Sequence, residues 1–216
     1  RFEALVLGDA LGAMREGAPL LKTYPLHEGD AESFGAICGG EVTILIEPQK
    51  PGPSLFLIGA GHCAQAIAKL AAECGFVVTV VDDRPELFRR LPANSVRTAT
   101  IPADQFIAGR EWKPDEALII VSRNYQVDRE ALHAALQHRG AGYLGMIGSA
   151  RKVRRVFDEL KERGVDDGAL SEIYAPLGLD VGADSPAEIA ISVMAEVLQV
   201  LRGRPGGHLR GMAKLP

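Results

Sequence analysis

The residues best suited to bind a ligand form a glycine-rich stretch, Gly59-Ala60-Gly61-His62-Cys63-Ala64, between an apolar run and a helix-forming segment. Gly59 permits a tight turn, Gly61 lets a phosphate approach the backbone, and the first N–H groups of the following helix can donate to an anion. Asp82 lies 21 residues after Gly61, where nucleotide-binding folds carry an acid for the ribose. The pattern predicts a strand–turn–helix cradle that holds either a dinucleotide or another phosphate compound.

Two later segments carry further polar groups. Gly148 and Ser149 precede a helix whose first turn contains Arg151 and Lys152, and cations at that end of a helix indicate a bound anion nearby. The alternative is a basic surface face. Asp180 lies in the long loop 175–186, where it either accepts hydrogen bonds from a heterocycle or organises the loop itself.

The three cysteines are Cys38, Cys63 and Cys74, with no CxxC pair. This spacing disfavours both a disulfide framework and a zinc knuckle. Cys63 is predicted at a helix N-terminus, which lowers the pKa of a thiol, although free cysteines are more often small buried apolar residues. The same two interpretations apply to Cys38, which precedes two glycines, whereas Cys74 is predicted to pack in its helix.

The elements that position these residues alternate from Leu55 onward. Apolar, β-branched runs at 55–60, 76–83, 95–100, 116–122 and 141–148 are separated by segments with helical spacing. Buried strands that alternate with helices predict a parallel sheet covered on both faces. We therefore expect an α/β fold with a Rossmann-type doubly wound sheet of order 3-2-1-4-5.

This strand order places a crevice between the carboxyl ends of the first and fourth strands. The first of these ends carries the glycine-rich turn, and the fourth carries Ser122, Arg123 and Asn124. We expect these three residues to face His62 across the crevice, with Arg123 as a clamp for a phosphate or carboxylate. The alternative for Arg123 is a solvated loop.

The first 50 residues do not alternate in this way. A helix that stops at Gly17 and short strands within 19–26, 33–40 and 41–48 predict a small α+β domain over 1–50. The proline-rich stretch 48–54 marks the boundary with a Rossmann-type domain over 54–203. The last helix should begin with a capping box of Ser185 and Glu188, and 204–216 should form a flexible tail.

Composition excludes several classes of function. Hydrophobic residues make up 47% of the 216, charged residues 24%, and the net charge is −4, so neither nucleic acid nor a membrane surface is an expected partner. No apolar run reaches the roughly 20 residues that span a bilayer, and no segment resembles a signal peptide. We expect a cytoplasmic protein.

Three stretches together resemble the XdhC/CoxI family of accessory proteins for xanthine-dehydrogenase-type molybdenum hydroxylases. They are FLIGAGHCAQAIAKLAAECGFVVTVVDDRPE, YLGMIGSARKV and IYAPLGLDVGADSPAEIAISVMAEVL. The resemblance runs from about Gly35 to Gly203 and leaves out the first half of the family's N-terminal domain. Two positions depart from the family's usual pattern: SRNYQVD replaces a motif with threonine and histidine, and Cys63 replaces an aliphatic residue.

The resemblance implies a cytoplasmic chaperone, without turnover of its own, that binds the molybdenum cofactor (molybdopterin). Such a protein would assist sulfuration by a cysteine desulfurase and insertion into the apo-molybdenum hydroxylase. It implies a cofactor site that combines the predicted cradle with the later loops, with Cys38 as a thiol ligand or sulfur contact. The site residues that the resemblance implies are Gly59, Gly61, His62, Asp82, Gly148, Ser149 and Asp180, and the crevice argument above adds Arg123.

Two other functions stay open on the residues alone. One is an NAD(P)-dependent oxidoreductase with His62 or Cys63 near the nicotinamide, although no proton donor is evident in the loop that carries Arg123. The other is a module that senses a nucleotide. The apolar last helix is compatible with a homodimer.

Overall fold

The computed structural model describes residues 2–26, 40–49 and 52–210. The chain divides into two compact units, Arg1–Pro51 and Gly52–Pro216. Among the described residues no helix is both long and apolar enough to cross a membrane.

The first unit consists of a helix and an antiparallel strand pair. Helix α1 (Phe2–Glu16) ends at Gly17, whose φ of +67° favours glycine. Strands β1 (Leu20–Leu26) and β2 (Gly40–Ile46) then pair along their whole length. The strand predicted over 33–40, and Cys38 within it, lie outside the described residues except for Gly40. Helix and hairpin are joined by Asp9, which accepts from Lys22 at 2.7 Å and from Tyr24 at 2.6 Å.

The second unit contains a parallel sheet of five strands. Its order is β5-β4-β3-β6-β7, which is 3-2-1-4-5 counted from the first strand of the unit and confirms the prediction. The two central strands, β3 and β6, are almost fully buried, as expected of strands covered on both faces. The strands are β3 (Ser54–Ile58), β4 (Val77–Val81), β5 (Val96–Ala99), β6 (Glu116–Ile120) and β7 (Tyr143–Met146).

Helices cover both faces of this sheet. They are α2 (His62–Glu73), α3 (Ala103–Ala108), α4 (Tyr125–Gln137), α5 (Ala150–Glu162), α6 (Asp167–Ser171) and α7 (Pro186–Leu201), with a 3₁₀ helix at Pro85–Arg90. Alternate residues of β3 enter two separate cores. Leu55 and Leu57 pack with α2 and α7, whereas Phe56 and Ile58 pack with α3, α4 and α5. The short helix α6 was not predicted.

The last helix has the predicted capping box. The Ser185 hydroxyl accepts from the N–H of Glu188, and the Glu188 carboxylate accepts from the N–H of Ser185 at 2.8 Å. The helix packs on α2, and Val193 and Val197 are completely buried between the two. Ile191, in contrast, is exposed, so the helix buries one face rather than its whole circumference.

Candidate functional site

The glycine-rich turn joins β3 to α2, and its first glycine is required by geometry. Gly59 has φ of +115°, and a methyl group there would lie 2.5 Å from the carbonyl oxygen of Val121. Its N–H donates to the carbonyl of Val81 at 2.7 Å. The turn is therefore fixed between the carboxyl ends of β4 and β6, where parallel sheets bind ligands.

Gly61 has a different role, because it caps α2 without a side chain. Its φ of −69° is open to any residue, and a methyl group there would meet no atom within 4 Å. No side chain caps the helix at this end. The space beside Gly61 is thus open at the N-terminus of α2, and an open, uncapped helix N-terminus is an arrangement that accepts an anion.

Asp82 is buried at the end of β4 and is tied to this turn. One carboxylate oxygen accepts from the Ala60 N–H at 2.8 Å and from Arg84 Nη2 at 3.0 Å. The other accepts from the N–H and Nε of Arg84, at 3.0 and 2.9 Å. Burial alone would raise the pKa of Asp82, but the hydrogen bonds from Arg84 and Ala60 outweigh burial, so the pKa lies below its ordinary value.

Two weaker pairs lie beside this buried unit. Arg123 Nη2 contacts the exposed carboxylate of Asp83 at 3.1 Å. Arg90, on the 3₁₀ helix, approaches Nε2 of His62 at 3.3 Å. Both contacts are exposed to solvent. An exposed ion pair such as Arg123–Asp83 contributes about 0–1 kcal/mol, so an incoming ligand can replace it.

Two cavities of about 350 and 450 Å³ open on either side of Arg84, Ser122 and Arg123, which line both. The larger one extends over Gly61 and His62 and includes Arg90. It therefore contains three arginines and no carboxylate among its described lining residues. Positive charge beside free helix N–H groups favours a phosphate in this cavity.

The smaller cavity has a different chemistry. Asp82, Asp83, Asp104 and Glu130 contribute carboxylates to its wall, and the remaining surface is largely apolar, with residues such as Ile101. Carboxylates accept hydrogen bonds from amino groups and ring N–H groups. This cavity accordingly suits a flat heterocycle that carries such donors.

The family model described as the XdhC Rossmann domain matches residues 55–197, which include β3 to α7 and all of the groups described above. The chain belongs to the XdhC family.

Two proteins are similar in sequence to this XdhC-family chain. The uncharacterized protein YqeB of Escherichia coli (strain K12) is 38% identical over 213 residues, or 95% of this chain and 38% of YqeB. A protein of Bacillus subtilis (strain 168), named as a probable xanthine dehydrogenase subunit, is 33% identical over 161 residues, or 72% of this chain and 45% of the relative. The chain thus spans less than half of the length of either relative.

A solved structure has the same fold. The crystal structure of a xanthine dehydrogenase from Bacillus halodurans aligns with a TM-score of 0.63 at 23% identity, over 93% of this chain and 65% of the other. This likeness supports the fold of this XdhC-family chain.

Of the predicted site residues, five line the two cavities of this XdhC-family chain: Gly59, Gly61, His62, Asp82 and Arg123. Ser122 lines both cavities as well. Asn124 does not line either one, because its side chain accepts from the N–H of Val127 at 2.9 Å and caps α4.

The remaining predicted residues have other surroundings. Ser149 caps α5 by accepting from the N–H of Lys152 at 3.3 Å, and Gly148 packs against the Lys152 side chain. Asp180 is exposed, in a loop fastened to α7 by the bond from the Gly178 N–H to Glu196 at 2.8 Å. Gly148, Ser149 and Asp180 do not line either cavity, and their binding roles stay predictions.

The expectation that Lys152 indicates a bound anion is wrong. Its ammonium group pairs with Asp128, a completely buried carboxylate of α4, and also contacts the carbonyl of Ile147 at 3.3 Å. Asp128 in turn accepts from the N–H of Ser122 at 3.3 Å. The protein therefore supplies the anion itself, and the ion pair links the loops that follow β6 and β7. Arg151 is exposed.

Of the two interpretations of Cys63, packing is favoured. The side chain packs against the core, and burial raises the pKa of its thiol. Cys74 is exposed rather than packed. No cluster of three or more His, Cys, Asp or Glu side chains suited to a metal occurs in the described part of the chain, which does not include Cys38.

Arg90 is a charged cavity residue that sequence reasoning missed. It belongs to no motif and reaches the crevice because the 3₁₀ helix after β4 turns back toward α2. The signal that could have pointed to Arg90 is its position, as a charged residue, shortly after Asp82 at the end of β4.

Proposed function

We propose that this protein is an accessory factor for a molybdenum hydroxylase and that its crevice holds the molybdenum cofactor, a pterin dithiolene with a phosphate. The observation that carries the proposal is the pair of cavities with Arg84 and Arg123 between them, one cationic and one lined by carboxylates and apolar groups. Membership of the XdhC family supports it, as does the name of the Bacillus subtilis relative, a probable xanthine dehydrogenase subunit.

The residues present fit such a group. The open space over Gly61 admits a phosphate to the first-turn N–H groups of α2, and Arg90 lies on the same side. Asp104 of the smaller cavity can accept from the amino and ring N–H groups of a pterin, whereas the acceptor sites of Glu130 are used by Arg129 and Arg163. The cavity volumes lie within the range of about 300–1,000 Å³ that is common for ligand sites.

The chain's own residues would bind and orient the cofactor without turnover. Arg123 would exchange its exposed partner Asp83 for the phosphate, while Arg84 stays in place on Asp82. The hydroxyl that lines both cavities, that of Ser122, donates to the carbonyl of Asn124. This contact favours a holding role for Ser122 over proton transfer.

The later steps belong to the same proposal. The cofactor would receive its terminal sulfur from a cysteine desulfurase and would then pass to an apo-hydroxylase, with Cys38 as a contact for the sulfur. The proposed location is the cytoplasm, and the apolar last helix is compatible with a homodimer.

The test is to purify the protein from molybdenum-replete cells and to measure the pterin fluorescence that denaturation releases. We expect about one pterin per chain in the wild type and about a tenfold loss in Arg123→Ala, because a charge-assisted contact to phosphate disappears. Arg154→Ala, an exposed arginine on α5 that lines neither cavity, is the matched control and should retain the pterin. Wild-type protein free of pterin would contradict the proposal.

A nucleotide is the second candidate, favoured by the position of Asp82 and its bond to the Ala60 N–H. In this alternative the protein is an NAD(P)-dependent oxidoreductase or a nucleotide sensor. Titration with NADH, NADPH and AMP decides between the molybdenum cofactor and a nucleotide as the ligand. Tight NADPH binding with hydride turnover would favour the oxidoreductase over the cofactor chaperone.

A further inference from the structure

The acid at the end of β4 has no acceptor position left for a ligand. A carboxylate offers about four lone-pair sites, and the four hydrogen bonds from Ala60 and Arg84 use all of them. The Asp82 side chain is only 4% exposed. In a nucleotide-binding fold this acid binds the ribose hydroxyls, and here the guanidinium of Arg84 occupies the positions that those hydroxyls would need.

Displacing Arg84 from Asp82 is unfavourable. Its Nε and Nη2 donate to the two different carboxylate oxygens at 2.9 and 3.0 Å, which is the bidentate geometry that makes such pairs strong. A neutral ribose hydroxyl would replace a charge-assisted contact by a weaker one and would leave a partly buried guanidinium edge without its partner.

Arg84 is at the same time part of the cavity walls. It lines both cavities together with Arg123, whereas Asp82 lines only the smaller one. Arg123 is 47% exposed, and its partner Asp83 is 63% exposed, so this outer pair opens readily. In the larger cavity, which no carboxylate of the described residues lines, the end of β4 therefore presents the guanidinium of Arg84 to a ligand rather than the acid.

We propose that the crevice selects its ligand by a phosphate or diphosphate group and does not recognise a ribose diol. Arg84 is the specificity-determining residue, and Asp82 is a positioning residue that holds both Arg84 and the glycine-rich turn. The ligand class is a phosphate ester whose organic part need not contain ribose. This inference rests on the proposed function and deepens it, because a pterin phosphate is such an ester.

Calorimetric titration of the full chain with inorganic pyrophosphate, AMP and the 2′,3′-dideoxy form of AMP tests the proposal. We expect pyrophosphate to bind and the two nucleotides to differ by less than about threefold in Kd, because no protein acceptor meets the diol. A dideoxy form that binds about tenfold or more weakly than AMP would show that the diol is read and would overturn the proposal. Failure of pyrophosphate to bind would overturn it as well.

Variants separate selection from positioning. Arg84→Lys keeps the charge but loses the parallel pair of bonds, and we expect about tenfold weaker pyrophosphate binding. Arg90→Ala should also weaken it, whereas Arg89→Ala, its exposed neighbour outside both cavities, should not. Asp82→Asn should weaken pyrophosphate binding without changing the ratio of the Kd values for AMP and its dideoxy form. If Asp82 bound ribose, the wild type would show a preference for AMP and Asp82→Asn would abolish it.

The outcome is distinguishable from that of the pterin experiment. Co-purified pterin together with a strong preference for the ribose diol would leave the proposed function in place and remove this inference. If the protein binds phosphate compounds equally well with and without the ribose diol but retains no pterin, this inference would stand and the proposed function would be removed.

Discussion

The two glycines of the turn should respond in opposite ways to the same substitution. Gly59→Ala places a methyl group 2.5 Å from the carbonyl oxygen of Val121, at a φ of +115°. Gly61→Ala places one in open space, at a φ of −69° that alanine adopts freely. We expect the first variant to lose stability and the second to lose ligand binding.

The magnitudes follow from the geometry. For Gly59→Ala, backbone strain of about 1–3 kcal/mol adds to about 1–3 kcal/mol for the overlap with Val121. For Gly61→Ala, the loss of a favourable N-cap, about 0.5–1 kcal/mol, is offset by about 0.4–1 kcal/mol from the smaller entropy of the unfolded chain. The net change in stability at Gly61 should therefore stay below about 1 kcal/mol.

Thermal unfolding and pyrophosphate titration measure the two effects separately. Gly59→Ala should lower the Tm by at least about 4 °C, since about 1 kcal/mol corresponds to about 2–4 °C in a domain of this size. Gly61→Ala should keep its Tm within about 3 °C and bind pyrophosphate about tenfold more weakly. A Gly61→Ala protein that binds as the wild type does would refute the assignment of the open space to an anion.

Three further predictions concern other groups. Tyr143→Phe removes the hydroxyl that donates to a carboxylate of α7 at 2.5 Å and should cost about 1–2 kcal/mol in urea unfolding at neutral pH. Burial raises the pKa of Tyr143 above its ordinary value, so wild-type stability should fall as the pH rises above about 10, and Tyr143→Phe should flatten this slope. Hydrogen bonds from Arg163 lower the pKa of Glu130 to about 2. The contribution of the ionised Glu130 to the free energy of unfolding should therefore be lost as the pH falls from about 4.5 to about 2. A Glu130→Gln protein whose stability depends on acid pH as the wild type's does would contradict this. Iodoacetamide should label the exposed Cys74 before the half-buried Cys63, whose pKa is raised, and mass spectrometry of the peptides would reveal the opposite order.

The sheet and its glycine-rich turn could be predicted because their signals are local. A buried apolar run, a turn of two glycines and a helix fall within 55–73. The positions of the remaining strands in the sheet follow from the rule that parallel strands are connected by right-handed crossovers. The capping box at Ser185 is equally local, since its two partners are three residues apart. The short helix α6 was missed because five residues are too few for a periodic pattern.

The partners of charged groups could not be predicted in this way. Lys152 finds Asp128 on another helix, 24 residues earlier in the sequence, and only the fold brings them together. Asp82 has the position of a ribose acid, yet the side chain two residues later folds back onto it. A carboxylate in a motif does not reveal how many of its acceptor sites the protein already uses.

The bare N-terminus of α2 has a thermodynamic consequence. Side chains cap α4, α5, α6 and α7 at this end, whereas α2 and the short helix α3 have no such cap. An anion seated over Gly61 would supply the missing contact to the folded state alone. At a concentration of about 100 times its Kd, such a ligand adds about 2.7 kcal/mol to stability, or roughly 5–10 °C in Tm. Melting curves recorded with each compound of a panel of phosphate esters would therefore identify the ligand as the compound that raises the Tm most.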